Sequence, residues 1–426
     1  MTSAHQQANA SFYGLGIAPK ILEFLDRMKF TVPTPIQYKA IPAAIEGKDI
    51  IGVAQTGTGK TLAFAVPIVQ RLAQQKGRCL ILVPTRELAL QIDETFRSLA
   101  LLFNMHTAVI IGGVSMYKQL QVLRKNPRIF IATPGRLVDH LKQRTVFLND
   151  VSVLVLDEAD RMLDLGFLPD IERVLKIIPK ERQTMLFSAT IPKEAIAIAS
   201  AHMKLPVHIE VAPSGTTAER ITQELFIVKK GSKNELLRKL LNQYRGSVLL
   251  FSRTKSGASK IVRFLRDAKY SAAEIHANRS LSQRIEALEG FKSGKYRVLV
   301  ATDIAARGID VIDIEIVINY DLPEYVENYV HRIGRTGRAG HEGHAISFAT
   351  PEQWSNVRNI EKLIKTVLPI SEHPELPRET FTGNSVRPDN AHRKHRFGGS
   401  AQSRRTHKPA GSAGGHQKKS RSPERY

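Results

Sequence analysis

Short runs of β-branched and leucine residues recur along this chain without polar alternation, and most are followed by stretches whose apolar positions fall at helical spacing. A run too short for a helix and apolar on both faces reads as a strand of a covered parallel sheet. In the first half such runs lie at 50–53, 79–83, 107–111, 128–132, 151–156 and 183–187. In the second half they lie at 247–251, 297–301 and 314–318, with helices predicted at about 233–244 and 256–268. The pattern loosens from 206 to 222, where Ala212-Pro213-Ser214-Gly215-Thr216-Thr217 has linker composition. Periodicity ends at Ser371. The chain therefore divides into 1–210, a linker at 211–220, 221–372 and a tail at 373–426. Strands alternating with helices predict α/β domains with mostly parallel sheets and right-handed crossovers.

The run Val151-Ser152-Val153-Leu154-Val155-Leu156 ends in Asp157-Glu158, with Asp160 two residues on. In an open α/β sheet, ligands bind at the carboxyl ends of the strands, where these acids sit. Alone they read equally as the chain returning to water. A second stretch, Ile50-Ile51-Gly52-Val53-Ala54-Gln55-Thr56-Gly57-Thr58-Gly59-Lys60-Thr61, reads strand, glycine-rich turn, helix. It misses the phosphate-loop pattern G-x-x-x-x-G-K-[ST] only at its first glycine, which is Ala54. Gly57 and Gly59 let backbone N–H groups wrap phosphates, Lys60 reaches the terminal oxygens, and the Thr61 hydroxyl can ligate magnesium. With Asp157 as the second-site acid, both parts of a nucleoside triphosphatase are present.

Other strand ends carry small or basic residues: Thr85 and Arg86, Gly113, Thr133, Gly135 and Arg136. Hydroxyls, exposed N–H groups and guanidinium forks hold phosphates without reading bases. Upstream, Pro33 and Pro35 predict an extended loop that presents the Gln37 amide, a donor and acceptor pair suited to an adenine edge. The chain has 426 residues, 42% of them hydrophobic, which suits two domains with full cores. Its formal charge of +22 points to a polyanionic partner, nucleic acid ahead of an anionic membrane. Cys79, the single cysteine, lies in an apolar run and reads as a core residue. No leader-like or membrane-spanning stretch stands out, so a cytoplasmic protein is expected.

Gln37, the loop from Ala54 to Thr61, Pro84-Thr85-Arg86-Glu87-Leu88, Thr133-Pro134-Gly135-Arg136, Asp157-Glu158-Ala159-Asp160 and Ser188-Ala189-Thr190 together resemble the ordered motifs of DEAD-box RNA helicases. Thr302-Asp303 through Asp310 and His331-Arg332-Ile333-Gly334-Arg335-Thr336-Gly337-Arg338 resemble the same family's second domain. The likeness runs from about Phe12 to Thr350, and within the family the chain looks most similar to bacterial RhlE-type members. Two tandem RecA-like domains are implied, with ATP and Mg2+ in the cleft and RNA across both rims. The resemblance assigns the nucleotide to Phe30, Gln37, Ala54, Gln55, Thr56, Gly57, Thr58, Gly59, Lys60, Thr61 and Asp310, and the metal to Thr61 and Asp157. Catalysis falls to Glu158, Lys60, Asp157, Arg335 and Arg338. RNA contacts fall to Pro84, Thr85, Arg86, Gly113, Thr133, Gly135, Arg136 and Thr302, and coupling to Asp160, Ser188, Thr190 and His331. By spacing alone, Arg335 and Arg338 read either as arginine fingers or as a phosphate-binding patch.

Three positions depart from the family pattern. Ala277 stands for a glycine and Leu281 for a glutamine, which puts second-domain RNA contacts in doubt, and Lys29 replaces a glycine with little expected effect. After Thr382 eleven basic side chains face only Asp389 and Glu424, so +9 sits in a tail too poor in apolar residues to fold alone. The expected activity is RNA-stimulated ATP hydrolysis that unwinds short duplexes or remodels RNA–protein complexes, with ribosomal-precursor or RNA-degradation machinery as candidate partners and a monomer as default. A DNA translocase and a non-enzymatic annealing protein are the alternatives.

Overall fold

The computed structural model describes residues 11–55, 57–211, 221–303, 314–337 and 343–382, all within one compact unit. Seven strands of the first half form one sheet: β1 (Ile50–Val53), β2 (Arg78–Leu82), β3 (Thr107–Ile110), β4 (Ile129–Ala132), β5 (Val151–Asp157), β6 (Gln183–Ser188) and β7 (Val207–Glu210). Their order is β3-β4-β2-β5-β6-β1-β7, all neighbours parallel. The second half repeats it with β8 (Ile221–Ile227), β9 (Val248–Phe251), β10 (Ala272–Ile275), β11 (Val298–Ala301), β12 (Ile316–Asn319), β13 (Gly343–Ala349) and β14 (Ile370–Ser371), in the order β10-β11-β9-β12-β13-β8-β14. Parallel pairing puts all carboxyl ends of a sheet on one rim.

Alternate residues of the inner strands enter separate cores, which is why those runs are apolar throughout. Cys79 and Ile81 of β2 join one cluster, Leu80 and Leu82 the other. In β9, Val248 and Leu250 face one cluster, Leu249 and Phe251 another. Burial pushes the Cys79 thiol pKa far up, as expected of a core residue.

Three expectations are corrected. Gln37 lies not on a loop but in the first turn of helix Pro35–Ile45, where Pro35 opens the helix and Thr34 with Gln37 forms a capping box. The tail begins later than 373. β14 pairs with β8, Leu376 packs on the second-half core, the Phe381 ring lies tilted against Trp354 at 5.0 Å, and Lys229 pairs with Glu379 at 2.8 Å. Leu376 and Phe381 are the apolar anchors that hold this stretch. The loosened pattern at 206–222 includes all of β7 and the start of β8; β7 is an edge strand whose Val-His-Ile-Glu alternation hides it among polar residues. Thr56, Asp310, Arg338, the linker from 212 and the tail beyond 382 lie outside the described residues.

Candidate active site

The turn after β1 is held by Gly57 and Gly59 at φ of 84° and 87°, a region that L side chains enter only with strain. A Cβ on Gly59 would stand 3.1 Å from the Thr34 hydroxyl and against the Gln37 amide. That closeness is used: the Gln37 side-chain N–H donates to the Gly59 carbonyl at 3.0 Å, while its oxygen accepts from the Thr34 backbone at 2.9 Å. Gln37 thus ties the preceding helix to the turn. Phe30 stays 42% exposed nearby in sequence, and Lys29, at φ 61°, ends the preceding helix in the left-handed form. There the family's glycine would be free of strain, so the lysine carries a conformational cost of about 1 kcal/mol.

Lys60 is the first residue of helix Lys60–Gln74, and its ammonium donates to the Ala54 carbonyl at 2.8 Å. The Thr58 hydroxyl closes the turn on the Gln55 carbonyl at 2.7 Å, and Thr61 follows in the helix. β5 delivers Asp157, 3% exposed, to the same rim. Burial pushes its carboxyl up to about 6 against the opposing charge of Lys60. Glu158 follows at φ 51°, a left-handed residue of the kind that concentrates at functional sites. Burial would raise its carboxyl too, but Arg161, Lys60 and Arg335 outweigh that and hold it at about 2.

One cleft is lined by Lys60, Glu158, Asp160, Arg161, Asp164 and Ala189 of the first half and by His331 and Arg335 of the second. Arg335 is presented by the turn after helix Glu327–Ile333, with its guanidinium donating to the His331 carbonyl at 3.2 Å. That helix is anchored by Arg332, 1% exposed, which grips both Asp303 oxygens at 2.6 and 2.8 Å and donates to Asn319 at 3.0 Å. The Asp160 carboxylate accepts from the backbone and hydroxyl of Thr190 at 2.9 and 3.0 Å, and the Asp160 N–H donates to the Ser188 hydroxyl at 3.1 Å. The strand-end acids and the Ser188-Ala189-Thr190 segment are therefore physically joined.

On the first rim, Arg86 rests against Gly112 and Gly113, where a side chain would collide with its guanidinium, and Arg136 donates to the Val114 carbonyl at 2.8 Å. These three motifs converge on one loop. The Thr85 hydroxyl caps the following helix, accepting from the Leu88 N–H at 3.3 Å while its own O–H remains able to donate. Pro84 and Thr133 are buried, Thr133 preceding helix Pro134–Lys142 in which Gly135 lies, and Thr302 closes β11 on the second rim.

Four groups were given no site role from the sequence, although Leu281, beside one of them, was noted there as a departure. Arg332 and Arg161 are buried guanidiniums beside motif residues. Arg284 pairs with Glu87 across the two halves at 2.7 Å, and Leu281 packs against the first-half core. Ser252-Arg253-Thr254-Lys255, where β9 runs into helix Lys255–Asp267, is a small and basic strand end of the kind noted on the first rim. Reading the second half by the same rule would have found it. Ala277 is exposed, with no left-handed φ.

Among the described residues no group of three or more His, Cys, Asp or Glu gathers to hold a metal, and no helix is long and apolar enough to cross a membrane. The Asp157 carboxylate and Thr61 hydroxyl are hard oxygen donors beside a phosphate cradle. That set suits Mg2+, which keeps several waters and takes other ligands from substrate phosphates.

The DEAD/DEAH box helicase pattern matches residues 34–198, and the helicase conserved C-terminal domain matches residues 232–340. The ATP-dependent rRNA helicase RRP3 of Candida albicans is 42% identical over 385 residues, covering 89% of this chain and 72% of that protein. S. cerevisiae Dbp5 bound to RNA and ADP BeF3 superposes with a TM-score of 0.76 at 30% identity, over 85% of this chain and 95% of that one. Mss116p bound to ssRNA and AMP-PNP gives 0.77 at 30% identity, over 84% and 78%. Since the likeness runs through both sheets and the cleft that they line, the chain belongs to the DEAD-box family of ATP-dependent RNA helicases.

Proposed function

We propose that ATP lies against the Ala54–Thr61 turn, with Phe30 and Gln37 at the adenine and RNA along the rims carrying Arg86, Gly113, Arg136 and Thr302. The observation that carries this reading is the cleft itself, where Lys60 and Glu158 meet His331 and Arg335 from the other half. Thr61 and Asp157 would hold Mg2+, which supplies charge neutralisation at the phosphates. Phosphoryl transfer passes through a loose transition state, so positioning and electrostatics outweigh strong base chemistry. A Glu158 carboxylate held at about 2 suits that role: it orients the attacking water and takes its proton late. Arg335 meets charge spreading over the transferred group. Asp310 and Arg338 keep the nucleotide roles that the resemblance assigns them.

Closure makes the activity conditional. Arg335 is at the cleft only when the halves are together, and RNA lying across both rims favours that arrangement. Asp160, bonded to Ser188 and Thr190, links the nucleotide acids to the segment after β6 and so couples closure to strand release. The contacts are with phosphates and 2′-hydroxyls, giving little sequence preference. Dbp5 and Mss116p were each solved with RNA and a nucleotide analogue bound together, and the overall superposition on them supports a closed arrangement here. The likeness to the rRNA helicase RRP3 makes ribosomal RNA the leading candidate substrate. The basic stretch after Thr382 favours the RhlE-type subgroup and adds sequence-tolerant RNA affinity. Cytoplasmic placement stays with the subgroup reading.

Steady-state ATP hydrolysis with no nucleic acid, with single-stranded RNA and with DNA of matching sequence tests the whole reading. Strong stimulation by RNA alone is expected. Equal stimulation by DNA would replace RNA-specific gating with a general nucleic-acid motor.

A further inference from the structure

β10 delivers Glu274 and then His276, 7% and 3% exposed, to the carboxyl rim of the second sheet. His276 Nε2 lies 3.0 Å from Glu274 Oε2, and the same carboxylate accepts from the Ser259 hydroxyl at 2.6 Å and pairs with Arg279. An ionised carboxylate only accepts, so Nε2 carries the ring proton. Burial, together with the charges of Lys255 and Arg284, lowers the His276 pKa and keeps the ring neutral, which makes Nδ1 an acceptor. That Nδ1 is buried and has no partner. The groups that complement it come from the next helix, Leu281–Lys292, and from the first half. Leu281 packs on the first-half core, and Arg284, three residues on and so on the same side of the helix, pairs with Glu87. Arg284 Nε and Glu87 Oε1 are likewise buried without partners. The junction thus holds one spare donor, the Arg284 Nε–H, and two spare acceptors, His276 Nδ1 and Glu87 Oε1. A single water, which donates twice and accepts, has the matching count.

We propose that His276 is a positioning residue for closure: its Nδ1 takes the Arg284 Nε–H, directly or through one water, and so aims the guanidinium at Glu87 of the first half. Glu274 and Ser259 hold the ring from its other nitrogen, which fixes both the tautomer and the direction of the lone pair. Without that acceptor the Arg284 side chain loses the contact that aligns it before the halves meet. The inference rests on the reading that RNA favours closure of the two halves.

The RNA concentration that half-stimulates ATP hydrolysis, measured beside turnover at saturating RNA, tests this with two isosteres. A glutamine amide reaches where Nε2 stands and keeps the Glu274 contact; an asparagine amide stands where Nδ1 does and keeps an acceptor for Arg284. His276→Gln is expected to raise the half-stimulating RNA concentration about five- to tenfold, with turnover at saturating RNA within about twofold of wild type. His276→Asn should stay within about twofold on both measures. In an Arg284→Leu background His276→Gln adds less than about twofold, because a residue acting through another has nothing left to position. A half-stimulating RNA concentration for His276→Gln within about twofold of wild type overturns the inference. So does a loss that His276→Asn shares, which would assign the ring to packing inside the second half, or one that saturating RNA does not restore. An undiminished further loss in the Arg284→Leu background also overturns it. Absence of RNA stimulation in the wild-type protein would instead remove the proposed function, and the inference with it.

Discussion

The two sheets have the same strand order, and both place a lysine and an acid at the same corner, but only one corner is open. In the first half Lys60 begins the helix after the first strand, and β5, fourth in the order, ends in Asp157. In the second half Lys233 begins the helix Lys233–Gln243 after β8, and β12, also fourth, is followed by Asp321. There the Lys233 ammonium is bonded to Asp321 at 2.9 Å and to the Tyr320 carbonyl at 2.6 Å. The connection decides the outcome. After β1, two left-handed glycines lift the chain into a cradle; after β8, Lys230–Ser232 makes a 3-10 turn in which Gly231 needs no left-handed φ. In the second half the lysine and acid serve the fold, and in the first, under the proposed function, they serve a ligand.

The sharpest way to break this comparison is to remove each lysine. Lys60→Ala is expected to cost on the order of 10² to 10³ in RNA-stimulated turnover, the loss of a preorganised charge at the phosphates. Lys233→Met should leave turnover within about twofold and lower stability by about 2 kcal/mol in urea unfolding, less than for a fully buried pair because Asp321 is 27% exposed. Loss of turnover in Lys233→Met without loss of stability would make the second corner functional and end the contrast.

A smaller effect tests how the halves are held together. Arg284, 11% exposed, and Glu87, 4% exposed, form an ion pair between them at 2.7 Å, next in sequence to Arg86 of the first rim. If the pair favours closure by about 1.4 kcal/mol, Arg284→Leu lowers RNA-stimulated hydrolysis about tenfold at subsaturating RNA. Saturating RNA should restore much of it. A loss that ignores RNA concentration would place Arg284 outside closure.

The inner strands of the first sheet were legible because burial on both faces leaves an apolar run, unlike the edge strand β7, and the glycine-rich turn because its glycines and lysine are local. β10, Ala-Ala-Glu-Ile, was not: it has one β-branched residue and carries Glu274, whose charge is met by Arg279 and His276. Gln37 was misplaced although Thr34-Pro35-Ile36-Gln37 spells a capping box, because two prolines were given more weight than the cap. Arg284 with Glu87 and Lys233 with Asp321 lie far apart in sequence, so only the tertiary fold reveals them. Arg161 with Glu158 is an i,i+3 pair that helix spacing would have allowed.

The smallest predicted effect compares the two corner acids directly. Asp157 is pushed up to about 6 because burial outweighs Lys60, whereas Asp321, also burdened by burial, is held below its usual range by Lys233 and by the Arg253 N–H. An acid with a raised pKa loses its charge as pH falls through that raised value, so Asp157 becomes protonated near pH 6 while Asp321 stays ionised. Since kcat/KM reports the free enzyme, it should fall about fourfold from pH 7 to pH 5.5. Glu158, at about 2, cannot produce a limb in that window. Asp321→Asn should leave this acid limb in place, since the group does not titrate there. A profile flat down to pH 5 would mean that Asp157 is ionised in the free enzyme; a limb that disappears in Asp321→Asn would mean that the closed corner, not the open one, governs nucleotide binding.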